Sequence, residues 1–490
     1  SSFSLAAKRS HTPQVVRESM HRVAASTVTR ILAATAHRQP SDRSWQRPSI
    51  MPASFGMSRP GAAAAVCVLL VLLVCSPAAT LSEDVAPLPQ VDANAQQAAA
   101  RPSITRELWK SAGWEALSAL VVARQNDLNP YATSVALTLL RNGEVKWQQS
   151  ELAKQALTLL AKEAVVASEN FSADSFSSVV LNFAELRFSY PALYETLALH
   201  VLRHSKEYEG AQIAASARAF AIMGVSSRPA FKALARRGSE LEHWSVDHIV
   251  DTAWSFAVVN DKPVNLLQNM AVRAIPLVSE LTENQVEALT WAYATLRIRQ
   301  PDLFQAIAAE VSTFARLYSA SELSVIAWAF GSLRMPAPEL FQSIAAHFRD
   351  HAKDYSAEQI YKVGSSAARL SYRSPGLMFD ISRQTRERIS EFTPSQLAEI
   401  VKAFADLNIE DKELFQDVAE RASANHDSYS PNDLAMITLA FGKMKFWSHA
   451  LFKAVYAELV EKKKHFTANN LECISFFCKS AGVQDLVRSV

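Results

Sequence analysis

The chain has 490 residues, 49% of them hydrophobic and 20% charged, with only 12 glycines and a formal net charge of +2. That length suits two or three ordinary domains or one long repeat array, and the composition favours helices with much apolar surface to bury. Residues 1–60 carry a surplus of +7, so the rest of the chain sums to −5, and bulk charge gives no support for nucleic-acid binding.

In chain order, residues 1–60 read as a basic targeting leader or as untranslated or fragment sequence. Residues 20–39, from Met20, are rich in Arg, Ala, Ser and Thr without an acidic residue, as in a mitochondrial presequence. Residues 61–80 offer a competing signal-peptide shape. Arg59 precedes the apolar run Gly61–Cys75, which is followed by small residues. Fifteen apolar residues fall short of the roughly 20 that span a bilayer comfortably, so a cleavable segment is expected rather than a permanent anchor. Residues 81–102, rich in Ala, Gln and Pro, read as a disordered linker. Residues 103–170 show helical periodicity without clean register, and a helical cap or diverged repeats are expected there.

From 171 to 490 the chain repeats itself. Phe183, Phe220, Phe256, Tyr293, Phe330, Ala367, Phe404, Phe441 and Cys478 stand 37 residues apart, with one interval of 36. Each of the first eight anchors is followed by Ala or Gly and preceded by Ala, Ser or Asn, a pattern that lets neighbouring helices approach while one ring fills the gap. Units open on Ser or Thr, and at Thr282, Ser319, Ser356 and Thr393 a Gln or Glu follows three residues later, predicting capping boxes. Pro191, Pro301, Pro338 and Pro375 then mark the first turn of a second helix. The expectation is an all-α fold, an α-solenoid of about eight tandem 37-residue helical hairpins plus a partial ninth, wound as a right-handed superhelix.

Function in such an array belongs to positions that vary on an exposed face. Four residues past the anchor come Arg187, Gly224, Asn260, Arg297, Arg334, Ser371, Asn408 and Lys445; a more variable position two residues past it includes Arg369 and Lys443. Repeat proteins that read RNA base by base use such recurring polar positions. Arg187, Asn260, Arg297, Arg334, Arg369, Asn408, Lys443 and Lys445 are therefore the candidate RNA contacts. The bland alternative is a solvated helix end, where basic residues also suit the helix dipole. Trp254, Trp291 and Trp328 share one position in three successive units and are candidate stacking residues if exposed, interhelical filler if buried. The pairs His200/His204 and His347/His351 read as surface residues late in second helices. No metal, cofactor or catalytic residue is implied: a P-loop, dinucleotide fingerprint, HExxH and nucleophile elbow are all missing from the sequence.

Three phrases carry a resemblance: S/T-x-x-[QE]-[LIV] at 282–286, 319–323, 356–360 and 393–397; A-[FYW]-[AG]-x-L at 292–296, 329–333 and 403–407; and [DE]-L-F at 302–304, 339–341 and 413–415. On these the array resembles the heptatricopeptide-type repeats of the FAST-kinase-like and RAP-associated organellar proteins, and it is similar to the repeat subunits of the RNA-editing substrate-binding complex. No RAP domain is expected within the chain. The resemblance implies a non-enzymatic protein that binds single-stranded organellar mRNA or rRNA in transcript processing, stability or ribosome assembly. Ribosomal or RNA-processing proteins are further implied partners. The mitochondrial matrix is the implied compartment, with the plastid as alternative through the signal-peptide-like leader. The rival reading is a protein–protein scaffold in an organellar complex.

Overall fold

The computed structural model describes residues 103–480. The expected leader, apolar segment and linker (1–60, 61–80 and 81–102) lie outside the described residues, as do residues 481–490. The chain divides into two compact units, represented among the described residues by 103–167 and 168–480. Every regular element described is a helix, and none of these helices is long and apolar enough to cross a membrane.

The first unit holds α1 (Ile104–Lys110), α2 (Gly113–Ala123), α3 (Pro130–Asn142) and α4 (Glu151–Val166). Its core is Leu108, Leu117, Val121, Leu137, Leu140, Leu157 and Leu160, all buried. Helix α3 ends with Glu144 at φ 50° and a Val145 N–H donated back to the Leu140 carbonyl at 3.3 Å.

The second unit alternates first helices with second helices. The first helices are α5 (Ala173–Glu185), α7 (Gly210–Met223), α9 (Val246–Val258), α11 (Glu283–Thr295), α13 (Ala320–Leu333), α15 (Ala357–Arg369), α17 (Pro394–Asp406), α19 (Pro431–Met444) and α21 (Ala468–Ser480). Between them run α6 (Pro191–His204), α8 (Arg228–Glu240), α10 (Val264–Ala274), α12 (Pro301–Phe314), α14 (Pro338–His351), α16 (Pro375–Glu387), α18 (Lys412–Ala424) and α20 (His449–Glu461). The four capping boxes read from the sequence are formed at α11, α13, α15 and α17. Two more, Glu209/Gln212 and Ser430/Asp433, start α7 and α19. Each satisfies backbone donors that the helix itself cannot.

First helices pack on first helices more closely than second helices pack on second helices. The small residues beside the anchors are the reason. A Cβ added to Gly331 would lie 2.8 Å from the Cβ of Ser366 on the next first helix. One added to Gly442 would lie 2.8 Å from the ring of Phe476. The anchors themselves are buried, and second-helix phenylalanines bridge to the following unit: Phe231 meets Phe256, Phe304 meets Phe330 and Phe415 meets Phe441, at centroid separations of 5.0, 4.9 and 4.9 Å. Where the anchor is Ala367, Tyr372 takes the place of the missing ring, 5.5 Å from Phe341.

One histidine of each pair departs from the expected surface position, while His204 and His351 stay partly or fully exposed. His200 is buried, with Nδ1 3.0 Å from the Tyr208 hydroxyl, and half-buried His347 repeats the arrangement with Tyr355 at 2.9 Å. Both face inward because a tyrosine at the end of the hairpin supplies a polar partner, so burial carries no orphaned imidazole. Burial first, then the neighbouring His204 or His351, pushes each below the ordinary histidine value.

Candidate nucleic-acid interface

The residue four past each of the first eight anchors ends its first helix in the left-handed conformation. Arg187, Asn260, Arg297, Arg334, Ser371, Asn408 and Lys445 have φ between 50° and 55°, and Gly224 has φ 66°. The next residue turns its N–H back to the anchor carbonyl, as Ile298 does to Tyr293 and Met335 to Phe330, both at 2.9 Å. This is the Schellman ending, and it explains why Gly and Asn recur at the position. It does not dictate Arg or Lys, which bear the steric cost of any unbranched side chain there, less than a β-branched residue would bear.

The ending also fixes where the side chains go. All eight residues are exposed on one edge of the array, the edge where first helices stop and second helices start. Arg187 is partly spent there: its Nη1 donates to the Ile222 carbonyl of the next first helix at 2.7 Å. Lys262 donates to the Arg297 carbonyl at 3.2 Å, and Arg373 donates to the carbonyls of Leu407 and Asn408 at 3.2 and 3.3 Å. These cations offset the partial negative charge of helix C-termini. Among the described residues, the side chains of Arg297, Arg334 and Lys445 have no hydrogen bond or ion pair. Lys262, Arg299 and Arg373, six residues past their anchors, belong to the same basic edge and were not among the candidates. Their shared repeat position was the signal available for them.

The face of the first helices behaves differently. Arg369 is 3.6 Å from Glu399, and Lys443 is 2.7 Å from Asp406, each on a neighbouring unit. Lys402 joins Asp406 at 2.8 Å. Burial works against ionisation of Asp406, but hydrogen bonds from Lys402 and Lys443 hold its carboxyl below the ordinary value. Arg369 and Lys443, candidate phosphate contacts in sequence terms, thus face carboxylates. Asp406 holds the same repeat position as Lys443 one unit earlier, so register brings that pair together, whereas Glu399 stands 30 residues from Arg369 at a different repeat position.

The tryptophans divide. Trp254 is only 7% exposed, and the Arg218 guanidinium lies 5.4 Å from its ring centroid. A ring so covered offers no open face to a base, so Trp254 takes the alternative role of interhelical filler, and Trp291 and Trp328 remain the candidates for stacking. Trp291 and Trp328 are half-buried on α11 and α13. Ala288, Thr295 and the half-buried Glu287 share the face of Trp291, and Ser324, Val325 and Ser332 that of Trp328, so a carboxylate stands beside the first of these rings.

A family profile described as RNA-editing substrate-binding complex 6 protein matches residues 143–375 and 280–476. Together the two matches take in well over half of the chain. The chain belongs to this family. The RNA-editing substrate-binding complex 6 profile therefore covers α4 of the first unit and every hairpin of the array. No curated protein sequence matches the chain. Among solved structures, the pentatricopeptide repeat protein PPR10 from maize is similar over 77% of this chain and 63% of that one, at 12% identity and a TM-score of 0.34. This chain therefore spans less than two thirds of PPR10.

Proposed function

We propose that the protein is a non-enzymatic RNA-binding repeat subunit that holds single-stranded organellar RNA, mRNA or rRNA, within a processing or editing assembly. One observation carries the reading: the left-handed helix endings set Arg297, Arg334 and Lys445 on a common edge, exposed and without protein partners among the described residues. Phosphates would run along that edge, where Lys262, Arg299 and Arg373 add charge. Asn260 and Asn408 could meet base edges, and Trp291 and Trp328 could stack on bases of the same strand. Membership of the RNA-editing substrate-binding complex 6 family supports RNA as the ligand, and the mitochondrial matrix is the compartment that the sequence resemblance implies. The carboxylate pairing of Arg369 and Lys443 favours the second reading, a protein scaffold, for the first-helix face of the later units.

Filter binding of organellar transcript fragments across a salt series tests the proposal. Glycine suits the left-handed position, so Arg297→Gly, Arg334→Gly and Lys445→Gly together should keep the fold and remove three phosphate contacts. Wild-type protein should bind with affinity falling steeply in salt, and the triple variant should show a shallower slope by roughly two to three. Absence of binding at low salt would leave the scaffold reading.

A further inference from the structure

One unit breaks the pattern at the opposite edge, where second helices stop and first helices start. The position twelve residues before the anchor is buried in the other units: Phe171, Tyr208, Leu281, Tyr318, Tyr355, Phe392, Tyr429 and Phe466. In the unit anchored by Phe256 this position is Trp244, and it is half-buried. That unit has the 36-residue interval, and no 3₁₀ turn separates α8 from α9, as one does between the other second and first helices of the array. Leu241 fills the buried place instead, which pushes the indole outward.

The indole is held by its surroundings. Added Cβ atoms at Gly210 and at Gly238 would each come within 3.2 Å of its ring, so these two glycines make the space it occupies. Arg273 of α10 fastens the connecting segment, donating to the Leu241 and Glu242 carbonyls at 2.9 Å each. The other side of the indole lines a cavity of ≈ 440 Å³, shared with Leu277, Asp247, Glu280 and Gln285. Gln285 Nε2 donates to Asp247 Oδ1 at 2.5 Å, which fixes that carboxylate in place. Neither Asp247 nor Glu280 has a cationic partner among the described residues. At the same edge one unit earlier, by contrast, Glu209 pairs with Arg237 at 3.0 Å.

We propose that the Trp244 cavity is a docking site for an arginine side chain of a partner protein. An indole wall with two uncompensated carboxylates is complementary to a guanidinium, which stacks on aromatic faces and takes carboxylates in a forked geometry. The volume lies within the range of binding pockets and leaves room for flanking backbone. Phosphate is disfavoured by the same two carboxylates. The cavity lies about one helix length, roughly 20 Å, from the basic edge. The inference stands apart from the RNA reading, because it concerns the other edge and a different partner.

Titration of the full chain with fluorescein-labelled acetyl-Arg-Arg-Arg-amide at 0.15 M salt, read by anisotropy, tests the inference. Saturable binding is expected, weakened at least tenfold in Asp247→Asn/Glu280→Gln and unchanged in Glu339→Gln, an acidic residue of the basic edge. A peptide with citrulline in place of arginine should also bind at least tenfold more weakly. The paired substitution retains side-chain shape, so an unchanged melting temperature separates loss of docking from loss of fold. Equal affinity in the paired variant would overturn the proposal. So would a paired variant that lost single-stranded RNA binding while keeping the peptide.

Discussion

First helices touch one another through Ala and Gly, whereas the edge where they end accepts Arg, Asn, Ser, Gly or Lys at one backbone position. Both features recur at the same interval, yet they answer to different constraints. Between first helices the restriction is space: the Cβ that Gly331 lacks would be 2.8 Å from Ser366. At the edge the restriction is a dihedral angle, and side-chain chemistry is left open. Periodicity therefore marks demand on the backbone in both places, and only the second leaves letters for function to choose.

The comparison predicts a graded response. Truncating Phe330→Ala opens a cavity where Phe304 packs at 4.9 Å, and the cost should be about 3–5 kcal/mol in chemical denaturation. Gly331→Ala should cost less, about 1–3 kcal/mol, because α13 and α15 must separate to admit one methyl group. If Gly331→Ala left the melting temperature unchanged, the closeness of the first helices would not be a steric limit. At the edge, Arg334→Val should cost about 1–2 kcal/mol by placing a β-branched residue in the left-handed region. Arg334→Gly should leave stability near the wild type while weakening RNA binding. Equal melting temperatures for the Val and Gly variants would mean that the edge is not set by its backbone angle.

Much of the fold was legible in the sequence. Anchor spacing, capping boxes and prolines at the first turn of second helices are local signals, and each has its counterpart in the structure. The hairpin of α3 and α4 was harder to see, since it carries Leu140 where most later units carry an aromatic and stands 43 residues before Phe183. Its helix ending betrays it: Glu144 and Val145 repeat the left-handed turn and the bond back to the anchor carbonyl. The candidate site was legible by position and less so by environment. Register located Arg369 and Trp254, but Glu399 and Arg218, which engage them, come from neighbouring units across the packed face.

The smallest effect expected tests that face through Asp251. Its carboxyl lies 3.1 Å from Arg218, yet burial outweighs that attraction, and Asp247 and Glu185 add repulsion, so it is pushed up to about 6 from 3.8. A group raised in the folded state favours folding when protonated. Its contribution is complete below pH 3.8 and is lost as pH rises through about 6. Relative to wild type, Asp251→Asn should therefore gain stability between pH 4 and pH 7, on the order of 1 kcal/mol, measured as the difference between two melting curves at each pH. Taking the difference cancels the titration of groups common to both proteins. A difference that stayed constant over this range would mean that Arg218 fully compensates the burial. In that case the ion pair beside Trp254 would resemble the Lys443–Asp406 pair of the later units, and the first-helix face would be electrostatically uniform from end to end.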